Sequence, residues 1–157
     1  MSGEGRPELH LDGSGLNITI VSGLWHQVIA DGLLAGAHHV LDASGARVTE
    51  VRVPGAFELA VVSQAALTNG ADAVVALGVI IRGGTPHFEF VSSAATDGLN
   101  RVALDTGKPV GFGLLTLENE QQGLDRAGLP GSIEDKGAEA AEAALAAALL
   151  LRDIRGS

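Results

Sequence analysis

Residues 71–81, ADAVVALGVII, constrain the fold more than any other stretch of the chain. The run is near-continuously apolar, yet far shorter than the about 20 residues a membrane-crossing helix needs. A strand that is apolar at every position, rather than at alternate ones, is buried on both faces. Such strands belong to parallel sheets covered by helices. The turn pair Gly83-Gly84 closes the run.

The flanking segments fit that frame. Residues 16–22 (LNITIVS) and 46–53 (ARVTEVRV) alternate and are rich in β-branched side chains, so both read as strands. Residues 109–116 (PVGFGLLT) read as a fourth. Between the first two, Val28, Ile29, Leu33, Ala37, Val40 and Leu41 recur at helical spacing within 25–43. Pro54-Gly55 breaks the second strand, and 56–67 resumes a helical pattern. The next helix has a start signal, with Thr85 as cap, Pro86 at the first helical position and His87 and Phe88 in the first turn, and runs to about 105. A short helix is expected over 119–127. A last one is expected from Ser132 (SIED) to about 153, almost all Ala and Leu from 138 to 151, a helix apolar nearly all round and so buried, often by a partner subunit. The order β-α-β-α-β-α-β-α-α with short right-handed connections predicts an α/β fold, a three-layer α/β/α sandwich on a four-stranded parallel, flavodoxin-like sheet.

Residues 16–157 are expected to form one domain, and 1–15 an arm. Leu9 and Leu11 alternate with polar neighbours, which suits either a loose tail or a strand that extends a neighbouring subunit's sheet. The arm has no apolar h-region, so a cytoplasmic protein is expected. With a net charge of −9 the chain lacks the basic face that nucleic acid demands. Without cysteine there are no disulfides, zinc thiolates or thiol nucleophiles. Four Phe, one Trp and no Tyr give a thin core, for which oligomerisation is a common remedy.

Ligands of parallel sheets bind beyond the carboxyl ends of the strands. Three of the five aromatic residues, Trp25, Phe57 and Phe88, fall at those ends. They serve either to cover the open end of the core or to stack on a flat heterocycle. Gly83-Gly84 permits close backbone approach, the following helix start suits a phosphate, and His87 in its first turn is placed to exchange protons. Taken singly these are an ordinary turn and an ordinary polar residue; together they make a phosphate and proton-transfer site. P-loop, dinucleotide-binding and G-x-S-x-G patterns are missing. None of the five histidines falls in H-E-x-x-H, and His38-His39 reads as a solvated helix face, so no metal is expected.

The segments VPGAFEL (53–59), ALGVIIRGGTPHFEFV (76–91), PVGFGLLT (109–116), EQQGLDRAG (120–128) and DKG (135–137) resemble the 6,7-dimethyl-8-ribityllumazine synthase family, over about residues 16–155. The resemblance implies condensation of 5-amino-6-(D-ribitylamino)uracil with 3,4-dihydroxy-2-butanone 4-phosphate, the penultimate step of riboflavin biosynthesis, with no cofactor and no metal. It implies that Trp25 stacks on the pyrimidine. Ala56, Phe57 and Glu58 would line the ribityl side, and Val79, Ile80 and Ile81 would offer backbone groups to the pyrimidine edge. Gly84 and Thr85 would hold the phosphate, and His87 would move protons. Phe112 and Arg126 would come from the adjacent subunit, Arg126 reaching the phosphate, with Lys136 near that interface. It further implies a homo-oligomer, a pentamer with sites between subunits, and riboflavin synthase as a candidate partner. Arg126 and Lys136 stand ten positions apart, farther than in shell-forming relatives, and Pro130 stiffens the connection. A displaced last helix and a free pentamer are therefore expected. A non-catalytic flavin-binding or scaffolding protein of the same fold is the competing reading.

Overall fold

The computed structural model describes Gly5 and residues 9–156. Strand β1 (Asn17–Gly23) leads to helix α1 (Gln27–Ser44), then β2 (Arg47–Val53), a 3-10 turn (Ala56–Glu58), α2 (Leu59–Thr68) and β3 (Ala73–Ile81). Helix α3 (His87–Thr106), β4 (Val110–Leu117), α4 (Glu120–Leu124) and α5 (Lys136–Arg155) complete the chain. The four strands form one parallel sheet in the order β2-β1-β3-β4.

Two cores flank this sheet, as a three-layer α/β/α sandwich requires. On one face Ile29, Leu33 and Leu41 of α1 and Leu145 of α5 close over Ile18, Ile20, Val75 and Leu77. On the other, Leu59 and Leu67 of α2 and Leu99 and Val102 of α3 cover Val21, Val74 and Ala76. Strand β3 is buried from Ala73 to Val79, because a central parallel strand meets helices on both sides. Strand β2, at an edge, is mostly exposed.

Several helix starts differ from the sequence reading, each for a local reason. Helix α1 begins at Gln27, two residues late, because His26 holds φ 56° and ψ 64° in the left-handed region. The 56–67 segment opens as the 3-10 turn. Pro86 rather than Thr85 is the N-cap of α3, with φ −69° and ψ 3°, and no side chain caps that helix. The fifth helix starts at Lys136, not Ser132: Asp135 caps it by accepting from the Ala138 N–H at 3.0 Å. The Ser132 hydroxyl is consumed by the preceding loop, where it donates to the Leu124 carbonyl and accepts from the Leu129 N–H at 2.8 Å. Helix α4 is shorter than expected and is capped by Asn119.

Within this chain helix α5 buries one face, and Leu150 and Ile154 are exposed. The loop from Ala127 to Asp135 bulges outward and closes on itself by a bridge between those two residues, and the Lys136 N–H donates to the Arg126 carbonyl at 2.9 Å. Histidine 38 is half-buried and bonds Glu50 of β2 at 3.1 Å, so only His39 matches the solvated reading. Leu9 and Leu11 lie in no strand of this chain; Leu11 packs on the α1–α5 core. The rest of the expected arm, residues 1–4 and 6–8, lies outside the described residues.

Candidate active site

At the carboxyl ends of β1, β2 and β3 the chain leaves the sheet in three turns, and these enclose a cavity of about 800 Å³. The Leu24 N–H donates to the Val53 carbonyl at 3.0 Å, tying the first two turns together. Trp25 comes from the first. Ala56, Phe57 and Glu58 come from the 3-10 turn after the second. Val79, Ile80, Ile81 and His87 come from the third. All eight of these expected residues line the one cavity.

The walls are mainly apolar, with Glu58, His26 and His87 as the titratable groups. Trp25 is 67% exposed, so its indole face is open to a ligand. A methyl at Gly55 would lie 3.3 Å from the Trp25 Nε1 and 3.4 Å from the Glu58 Oε1. The N–H edge of the indole and the carboxylate therefore converge over this glycine, one a flat ring with a donor, the other an acceptor for hydroxyls. Gly84 and Thr85 do not line the cavity; they form the exposed turn just before α3, beside His87.

Phe112, Arg126 and Lys136 lie elsewhere. They line a second cavity, of about 640 Å³, beside β4 at the opposite sheet edge from β2. The Arg126 Nη1 donates to the Gln122 carbonyl at 2.9 Å, which aims the guanidinium from the end of α4. The Lys136 Nζ lies 2.6 Å from Glu134 Oε2 and 3.4 Å from Glu139 Oε1. Burial alone would lower the Lys136 pKa, but the two carboxylates outweigh it and hold the ammonium above its ordinary value. The Lys136 hydrogen bond in turn holds Glu134 below the usual carboxylate range. No group of three or more His, Asp or Glu among the described residues is disposed to hold a metal ion.

The model of one family, 6,7-dimethyl-8-ribityllumazine synthase, matches residues 15–152, nearly the whole chain. The chain belongs to the lumazine synthase family. Its sequence is 68% identical over 160 residues to the 6,7-dimethyl-8-ribityllumazine synthase of Clavibacter michiganensis subsp. michiganensis, covering 100% of both chains. The protein of that name from Leifsonia xyli subsp. xyli is 69% identical over 158 residues, covering 99% of this chain and 100% of the relative. That of Streptomyces avermitilis is 52% identical over 156 residues, covering 98% and 97%. Both cavities lie within the segment that matches the lumazine synthase model.

Phe88 corrects the expected aromatic lining. It is half-buried and packs under Arg82, whose Cζ lies 4.4 Å from the ring centroid. Phe90 takes its place in the cavity, with Val91 and Ala94. The signal was available: His87, Phe90, Val91 and Ala94 stand at i, i+3, i+4 and i+7, one face of a helix. His26 was also missed. Among the described residues it is the one non-glycine with positive φ, a conformation that costs about 1–2 kcal/mol and that no periodicity reveals. Glu139, three residues after Lys136 on α5, had a spacing signal as its partner. Glu134 had none, since a loop delivers it.

Proposed function

We propose that facing surfaces of neighbouring copies of this chain together condense 5-amino-6-(D-ribitylamino)uracil with 3,4-dihydroxy-2-butanone 4-phosphate to 6,7-dimethyl-8-ribityllumazine. One observation carries the composite site. In a member of this family, the stacking, hydroxyl-binding and proton-moving groups share one cavity, while Phe112, Arg126 and Lys136 line another at the far edge of the same chain. Docking the second cavity of one copy against the first cavity of the next completes the set.

In this reading Trp25 stacks on the pyrimidine, Glu58 accepts from ribityl hydroxyls, and the backbone of Val79, Ile80 and Ile81 meets the pyrimidine edge. The 5-amino group attacks the ketone, and loss of water gives an imine. Elimination of inorganic phosphate gives an enol, which tautomerises to a ketone. The ribitylamino nitrogen attacks that ketone and a second water leaves. Each step moves a proton, which the His87 imidazole, with one donor and one acceptor nitrogen, can relay. Gly84, Thr85 and the start of α3 receive the phosphate, and Arg126 of the neighbour balances its charge. Holding two reactants in register supplies up to about 7–11 kcal/mol in ideal cases, more than proton transfer contributes. The assembly is read as a free pentamer, because the bulging 127–135 loop, with Ile133 76% exposed, alters the surface next to α5.

The test follows lumazine formation by absorbance with both substrates. His87→Ala should slow turnover by about ten- to a hundredfold, and Arg126→Ala should mainly raise KM for the phosphate substrate. Co-assembled in equal amounts and assayed with the phosphate substrate below its KM, the two impaired chains should form intact sites at about a quarter of the interfaces, since half of each face is intact. No recovery refutes the composite site. A folded protein that binds flavin and makes no product refutes the condensation. Sedimentation near a megadalton refutes the free pentamer.

A further inference from the structure

We propose that Arg82 is a positioning residue for the phosphate half of the reaction, clasping shut the exposed turn formed by residues 83–86. The inference rests on the function proposed above. That turn has no packing of its own: a methyl at Gly83 or Gly84 would meet nothing within 4 Å, and Gly83 to Pro86 are all exposed. A turn so unsupported cannot by itself present a fixed anion site or fix the direction of the helix that follows.

Arg82 supplies the missing support from outside the turn. Its backbone N–H donates to the Leu117 carbonyl at 2.8 Å, anchoring the end of β3 to the end of β4. Its Nε donates to Glu118 Oε2 at 2.8 Å, just past β4. Its Nη1 donates to Glu89 Oε1, in the first turn of α3, and its guanidinium lies over the Phe88 ring. The residues on either side of the turn, Arg82 and Glu89, are thus joined directly, with the turn and His87 held between them. Phe88 and Glu89 are turned toward Arg82, while His87 and Phe90 line the cavity. The clasp therefore fixes the rotational phase of the first turn of α3.

Arg82 lines neither cavity, and two carboxylates already satisfy its charge. It acts through the turn, not on the substrate. The planar guanidinium forks to two carboxylates while stacking on a ring, which a lysine ammonium cannot do.

Steady-state kinetics of Arg82→Ala, Arg82→Lys and Glu89→Gln test the clasp. Arg82→Ala should raise KM for the butanone phosphate about tenfold while leaving KM for the pyrimidine within about twofold. Arg82→Lys should restore little of it. The Arg82→Ala and Glu89→Gln effects should be less than additive in the double variant. Calorimetric titration with inorganic phosphate reads the clasp without turnover: binding should weaken about tenfold in Arg82→Ala. Unchanged phosphate KM and unchanged phosphate binding overturn the clasp, as does full rescue by lysine. If the wild-type protein makes no lumazine, the proposed function fails, and the phosphate titration still decides the clasp.

Discussion

Replacing Gly137 with alanine sets a methyl against the backbone of α1. The new Cβ would run into the Leu33 carbonyl oxygen and lie 2.6 Å from the carbonyl carbon and 2.7 Å from the Cα of that residue. Carbon atoms rest at about 3.5–4.0 Å, so the start of α5 must retreat by about 1 Å. The opposing atoms are main chain in a buried helix, and no rotamer change can relieve them. Overpacking typically costs about 1–3 kcal/mol, and this contact belongs at the upper end. The better helix propensity of alanine returns up to about 1 kcal/mol. The net is a loss of about 2 kcal/mol, or about 4–8 °C in Tm for a domain of this size. Calorimetry at fixed protein concentration measures it, because assembly makes Tm concentration-dependent. Gly98→Ala is the internal comparison: its Cβ would meet only the Ala60 methyl, at 2.9 Å and between half-buried residues, so its cost should be smaller. Retreat of α5 also pulls on Arg126, whose carbonyl accepts from the Lys136 N–H at 2.9 Å, so phosphate KM should rise in Gly137→Ala alone. An unchanged or raised Tm, or a larger loss in Gly98→Ala, would refute the reasoning.

Two further outcomes are expected. Trp25 is the single tryptophan, so its emission reports one site; saturation with the pyrimidine substrate should quench it, and unchanged emission would remove Trp25 from the cavity. The Lys136 bond keeps the Glu134 carboxyl below its ordinary range, so its stabilisation is fully present above that range and lost as the pH falls below it, through the lowered pKa. The Tm gap between the wild type and Glu134→Gln should therefore be widest near neutrality and narrow below about pH 4. A gap independent of pH would sink the assignment of that stabilisation to charge.

Much of the candidate site was legible because strand-to-helix connections are short. Trp25, Glu58 and His87 each follow a strand by a few residues, so predicting β1, β2 and β3 already brings them to one end of the sheet. What escaped depended on helix phase or on distant partners. Phe88 and Phe90 are two residues apart, and which one faces the cavity turns on where α3 begins. That start is set by Pro86 and by Arg82, one local signal and one residue bonded across β4. His26 gave no sign of its left-handed backbone, because that conformation is imposed by the turn it completes.

The run of residues 71–81 decided by itself that a buried parallel strand lies at the centre, and helical periodicity decided what covers it. Both follow from near neighbours in sequence, where backbone preference and apolar spacing act. Only the tertiary structure decided how closely α5 approaches. A methyl at Gly113 would sit 3.1 Å from the Ala140 methyl and one at Gly137 would run into Leu33, so these glycines are spacers between elements remote in sequence. The same long-range packing separates Arg126 and Lys136 from His87. His87 follows β3 while Arg126 and Lys136 lie beside the edge strand β4, in a sheet whose order no local pattern encodes.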